Sequence, residues 1–252
     1  MLNVNVVFFD AVGTLFRVRG SVGHIYSQIA ADYGVITDAQ VVNRSFYRAF
    51  KTAPPAAFPN AGDRLQKLER AWWQAVVRHT FQGLGLLEQF RDFSGYFREV
   101  FDIFATQEAW ELYEDTMPVL EALQEREVEI AMISNFDSRL YAVLEVLGLQ
   151  DRFSSIAVST AVGAAKPDAR VFRFALEQQG VEASQALHVG DSQRQDYRGA
   201  KQAGLQALWL GRNNPMIAPE AGLPPAAETI SDLSGILPRL APPQTSTKLL
   251  SI

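Results

Sequence analysis

Val4-Asn5-Val6-Val7-Phe8-Phe9 runs directly into Asp10-Ala11-Val12-Gly13-Thr14. The leading segment is rich in β-branched and aromatic residues. It is apolar enough for both faces to be buried, the pattern of a strand inside a parallel sheet. Gly13 permits a tight turn just past the strand's end. Four later segments share this texture, at 128–133, 155–159, 186–189 and 206–210. Between them, 138–147, 169–179 and 193–203 read as helical stretches. Strands alternating with helices predict βαβ units and a parallel α/β sheet. From about 20 to 104 the pattern differs. Segments 25–33, 41–50, 65–81 and 87–104 repeat apolar residues at three- and four-residue spacing, with Pro54, Pro55 and Pro59 breaking the series. That region is expected to be all helical. The domain plan is therefore an α/β core of 1–16 and 107–240, a helical cap at 17–106 and a flexible tail at 241–252.

The overall composition agrees with a packed protein and narrows its partners. At roughly 150 residues per domain, 252 residues suit one main domain with an insert, and 48% apolar content supplies a core. The net charge of −5 and the lack of any long Lys/Arg run argue against nucleic acid or an anionic membrane as partner. With no cysteine, disulfide frameworks, thiolate metal sites and cysteine nucleophiles are excluded. Only three histidines, His24, His79 and His188, stand far apart, which disfavours a multi-histidine metal site. No signal-peptide pattern opens the chain and no apolar run reaches the roughly 20 residues of a membrane span, so a cytoplasmic location is the default expectation.

Ligands of open parallel sheets bind beyond the carboxyl ends of the strands. The first strand delivers Asp10 there, with Thr14 after the turn, and the second delivers Ser134-Asn135. Lys166-Pro167-Asp168 follows the third, and Gly190-Asp191-Ser192 ends the fourth, with Asp196 five residues after Asp191. Each has a plainer explanation as a turn residue or helix cap. Capping does not predict that carboxylates, hydroxyls and one ammonium recur at four strand ends. Three acids at one edge raise one another's pKa and cost stability unless a cation is present.

These four segments, in this order, resemble the four motifs of the haloacid dehalogenase-like hydrolase superfamily, and the helical insert resembles the cap of one of its subclasses. Trp72-Trp73 and Ser134-Asn135-Phe136-Asp137 further resemble the domain-containing protein three group within it. The resemblance covers about 4–240. It implies a Rossmann-like doubly wound core with an inserted helical cap domain, and a hydrolase acting on a small phosphorylated metabolite. By the same resemblance Asp10 is the nucleophile and Lys166 the cation beside it, both catalytic. Thr14, Ser134 and Asn135 are substrate-binding. Mg²⁺ is held by the carboxylates of Asp10 and Asp191 and the carbonyl of Val12, with Ser192 and Asp196 behind them.

Val12 departs from the phosphatase pattern, which has a second Asp there as acid and base. General acid–base help is typically worth about 10²–10⁴-fold, so ordinary phosphomonoester turnover is expected to be slow. The departure keeps two other readings open. A 2-haloacid dehalogenase needs no acid for halide and no metal. Asp191 counts against it, and Arg44 and Arg48 are its halide-binding candidates by position alone. A weakened binding or regulatory protein is the other alternative. The substrate itself is not legible. Arg17, Arg19 and His24 are candidate first contacts, although a solvated linker is the plainer reading for each. Trp72, Trp73, Trp110 and the aromatic residues of 90–104 read as cap core. Hinges for cap movement are expected near 16–20 and 107–115.

Overall fold

The computed structural model describes residues 1–212 and 224–241. Among the described residues, six parallel strands form the main sheet in the order β5-β4-β1-β6-β7-β8. They are β1 (Val6–Phe9), β4 (Glu129–Ser134), β5 (Ile156–Val158), β6 (Ala186–Gly190), β7 (Gln206–Leu210) and β8 (Thr229–Ile230). The leading segment places Phe9 opposite Met132 on one side and Val189 on the other, so Asp10 emerges at the centre of the sheet's carboxyl edge.

Side chains alternate across a strand, and both faces of β1 are apolar. Val7 and Phe9 join Ile130, Met132, Leu187 and Val189 on one side; Val6 and Phe8 join Ala131, Ile133 and Ala186 on the other. The first face is covered by α5 (Thr116–Gln124) and α6 (Leu140–Val146), through Val119, Leu120, Leu123, Leu140, Val143 and Leu144. The second is covered by α8 (Ala169–Gln179), through Val171, Phe172, Ala175 and Leu176, and by Ala200 of α9 (Gly199–Gln202). Burial on both faces makes the core a doubly wound α/β sheet.

The helical insert leaves and re-enters the core through a two-stranded antiparallel ribbon, β2 (Phe16–Val18) and β3 (Trp110–Leu112), in which Arg17 faces Glu111. Between them lie α1 (Val22–Asp32), α2 (Ala39–Thr52), α3 (Leu65–Gln82) and α4 (Phe93–Ile103). A Cβ on Gly23 would stand 2.1 Å from Ala39 O, so glycine is what lets α1 approach α2. Phe81 meets Phe90 and Tyr96 edge to face at 4.9 and 5.3 Å. The segment expected as one helix over 87–104 is divided, because Asp92 caps α4 by accepting from Gly95 N. The helix expected at 193–203 opens as a π-helical turn at Gln193–Arg198, a form frequent at functional sites. The short α7 (Ser159–Val162) follows β5. Apart from Ala241, the tail expected at 241–252 lies outside the described residues.

Candidate active site

The residues nominated at separate strand ends meet. Lys166 is buried, and its Nζ lies 2.6 Å from Asp10 Oδ1, 2.6 Å from Asp196 Oδ1 and 2.7 Å from Ile133 O. One carboxylate oxygen from each of Asp10, Asp191 and Asp196 falls within 4.8 Å of the others. Thr14 Oγ1 points to Asp10 Oδ2 at 3.4 Å, a weak contact.

The electrostatics follow from burying three acids around one ammonium. Burial raises the Asp10 carboxyl to about 6, although Lys166 pulls it down. Burial together with the charges of Asp10 and Asp196 pushes Asp191 well above the usual carboxylate range. Asp196 is different: burial would raise it, but Lys166 and His188 outweigh that and hold its carboxyl far below the usual range. Burial opposes the charge on Lys166, yet Asp10 and Asp196 more than compensate, so it stays an ammonium. Two acids therefore stand short of positive charge while a third is fully satisfied. This is the imbalance that a divalent cation relieves.

The donor set fits such a cation. All donors are oxygens, which suit hard divalent ions. At Gly13, where φ is +89°, a Cβ would stand 2.3 Å from Asp191 Oδ2, so this turn leaves room for the carboxylate only as glycine. Asp196 is poorly placed for direct ligation, because its oxygens are already taken. Oδ1 faces Lys166 and His188 Nε2, while Oδ2 accepts from Ser192 N at 2.9 Å. Asp10 and Asp191 are the side chains with oxygens left to offer. Trp209 Nε1 holds the Asp191 carbonyl at 2.8 Å.

Several nominated residues are engaged within the protein itself. Asn135 was expected to touch substrate, yet its carboxamide clamps the backbone of Lys166, accepting from Lys166 N at 2.7 Å and donating to Lys166 O at 3.0 Å. Ser192 caps the π-helical turn by accepting from Gln195 N, and Asp168 caps α8. Ser134 ends β4, buried beside this network. The Val12 side chain packs against the core. Arg17 pairs with Glu111 and Arg19 donates to Trp110 O, whereas His24 is exposed on α1. Arg44 and Arg48 lie exposed on α2. Trp110 is buried core, packed on Phe16 and Phe104.

His188 was missed as a site residue. It is fully buried on β6 and reaches Asp196 at 3.1 Å. A lone imidazole in the otherwise apolar Ala186-Leu187-His188-Val189 was the available signal. Arg212, which contacts Thr14 O and Asp115, gave none.

A family model described as haloacid dehalogenase-like hydrolase matches residues 4–204. The mouse haloacid dehalogenase-like hydrolase domain-containing protein 3 is 32% identical over 239 residues, spanning 95% of this chain and 94% of that protein. Among solved structures, a HAD phosphatase from Thermococcus onnurineus aligns with a TM-score of 0.64 at 22% identity, covering 94% of this chain and 97% of that one. L-2-haloacid dehalogenase from Xanthobacter autotrophicus, with chloropropionic acid covalently bound, aligns at 0.68 and 20%, again covering 94% and 97%. At these identities the structural likeness establishes the fold alone, and a phosphatase and a dehalogenase both share it.

Proposed function

This chain belongs to the haloacid dehalogenase-like hydrolase family, and we propose that its reaction is Mg²⁺-dependent hydrolysis of a small phosphate ester through an aspartyl-phosphate on Asp10. The observation that carries this reading is the Asp10–Lys166 contact of 2.6 Å beside a second carboxylate, Asp191, that forms no ion pair of its own among the described residues. An Asp oxygen attacks phosphorus, the Asp10–phosphorus bond forms as the ester bond breaks, and the leaving oxygen takes a proton from solvent. Water then attacks phosphorus, which frees phosphate and restores the carboxylate. Lys166 neutralises charge between nucleophile and phosphoryl oxygens, and Ser134 with adjacent N–H groups receives those oxygens. Asp10, Asp191 and the Val12 carbonyl would hold Mg²⁺, which when bound supplies the second positive charge and lets two anions meet. Asp196 keeps Lys166 in place, and Ser192 keeps Asp196 in place.

Val12 offers no proton, so acyl and aryl phosphates, whose leaving groups need little acid help, are the favoured substrates over alkyl phosphates. The same feature supports a second reading, attack of Asp10 on the carbon of a 2-haloacid without metal. The Asp191 carboxylate has no task in that chemistry. A panel of acetyl phosphate, p-nitrophenyl phosphate and 2-chloropropionate, run with MgCl₂ and with EDTA, separates the two. Phosphate release that needs Mg²⁺ and disappears in Asp10→Asn is the expected result. Metal-independent chloride release would replace it with the dehalogenase reading, and Mg²⁺ binding with no turnover would favour a regulatory protein.

A further inference from the structure

The loop that follows Ser134 is tied to the cap at three consecutive residues. Asp137, almost fully buried, accepts from Trp73 Nε1 of α3 at 2.5 Å. Ser138 gives both its N–H, at 3.0 Å, and its hydroxyl to the carboxylate of Glu69, one turn earlier on the same helix. Arg139 donates to Phe101 O of α4 at 2.8 Å and lies over the Phe101 ring. Glu69 is 3% exposed and accepts a further bond from Thr160 Oγ1 at 2.5 Å. No lysine or arginine pairs with it among the described residues.

This arrangement is unlike an apolar domain seam. A buried carboxylate without a cation depends on its hydrogen bonds, and water would satisfy the same oxygens if the cap lifted. The seam is thus specific and reversible together. The preceding residues lead straight into the catalytic network: Phe136 O accepts from Ser159, and Asn135 clamps the backbone of Lys166. Seating the cap fixes Asp137, Ser138 and Arg139. The two residues before them carry that constraint to Ser134 and Lys166.

We propose that Glu69 and Trp73 are positioning residues, by which the seated cap holds the Ser134–Asn135 strand end ready for phosphoryl oxygens. The inference rests on the hydrolase reading above. Its consequence is that the phosphate cradle is complete only while the cap is down, so that phosphate affinity reports on contacts made well away from phosphate.

The test uses the full chain and compares Trp73→Phe, Glu69→Gln and Glu69→Ala with Trp72→Phe. Trp72 donates to Pro54 O inside the cap, which makes it the matched control. Two measurements are made on each protein: amide hydrogen exchange across 134–139, and calorimetric binding of inorganic phosphate with MgCl₂. Trp73→Phe and Glu69→Ala are expected to speed exchange in that loop and weaken phosphate binding about tenfold, the scale of one lost charge-assisted bond. Glu69→Gln should fall between, and Trp72→Phe should match wild type. A merely structural role would lower the binding stoichiometry, as the folded fraction falls, and leave the affinity unchanged. That result overturns the proposal, as does faster exchange with unaltered affinity, or unaltered exchange. Wild-type protein that binds no phosphate would overturn the hydrolase reading and this proposal with it. Phosphate binding at wild-type affinity in every variant overturns this proposal alone.

Discussion

Replacing Asp10, the proposed nucleophile, with its neutral isostere should make the metal-free protein more stable. Burial raises the Asp10 carboxyl from 3.8 to about 6, and that value is already net of the attraction to Lys166. In the native state the group therefore holds its proton more tightly than in the unfolded chain. Between the two values the native state carries a proton that the unfolded state has lost, so stability falls as pH rises from about 4 to beyond 6. At about 1.36 kcal/mol per pH unit, a shift of about two units costs about 3 kcal/mol at pH 7.5. At pH 5 the cost is about half as large, because the native carboxyl is then mostly protonated.

Asp10→Asn escapes this penalty. It also removes the like charge that helps raise Asp191. For a chain of this size, about 2–4 °C per kcal/mol gives an expected rise in melting temperature of roughly 6–12 °C in EDTA at pH 7.5. The gap should narrow at pH 5. It should also narrow on adding Mg²⁺ at pH 7.5, where the cation stabilises ionised Asp10 in the wild type and finds one carboxylate fewer in the variant. Thermal unfolding followed by circular dichroism at both pH values, with EDTA and with MgCl₂, reads all three comparisons. An Asp10→Asn protein that melts at or below wild type in EDTA at pH 7.5, or a gap that is the same at pH 5, would refute the electrostatic account.

Lys166→Met should act in the opposite direction, because it leaves Asp10 and Asp196 buried with no cation; a loss of about 3–5 kcal/mol is expected. The loss should be read by urea unfolding in EDTA at pH 7.5, and should shrink at pH 5 as the acids protonate. Gly13→Ala demands a positive φ from an L-residue and brings a Cβ to 2.3 Å from Asp191 Oδ2. The Mg²⁺-induced rise in melting temperature should vanish in that variant, with a stability loss of about 1 kcal/mol or more. Val12→Asp supplies the absent acid, and kcat on an alkyl phosphate should increase by at least about tenfold, within the 10²–10⁴ ceiling of general acid catalysis. p-Nitrophenyl phosphate, whose leaving group needs little protonation, should gain far less.

The catalytic edge was legible because the chemistry of a parallel sheet is written at the ends of its strands. Asp10 and Asp191 each follow an apolar strand and Ser134 closes one, whereas Lys166 comes after β5 with the short α7 between them. These short readings sufficed to bring residues 156 positions apart into one site. Capping, the plainer explanation for Ser192 and Asp168, holds for both, whereas a turn, the plainer explanation for Asp10 and Lys166, does not account for their contact. What could not be read was which partner each polar group would choose. A carboxamide at 135 is equally suited to a phosphate oxygen and to a neighbouring backbone, and only the fold shows that Lys166 takes it.

Glu69 illustrates the deeper reason. In a helix pattern a glutamate belongs to the solvated face, and nothing within a few residues of it marks it as buried. Its partners, Ser138 and Thr160, lie 69 and 91 residues away on two separate segments of the core. Trp73 and Asp137 could be noticed separately, one in the cap and one after the second motif, yet their direct contact exists only when the cap is seated. Local pattern thus discloses groups that a single strand end presents. It conceals groups whose burial depends on one layer closing over another. In a protein whose cap is stitched to its catalytic loop, that second class governs whether the first is correctly arranged, and so variants on α3, which carry no reacting atom, are the ones that distinguish a seated cap from a detached one.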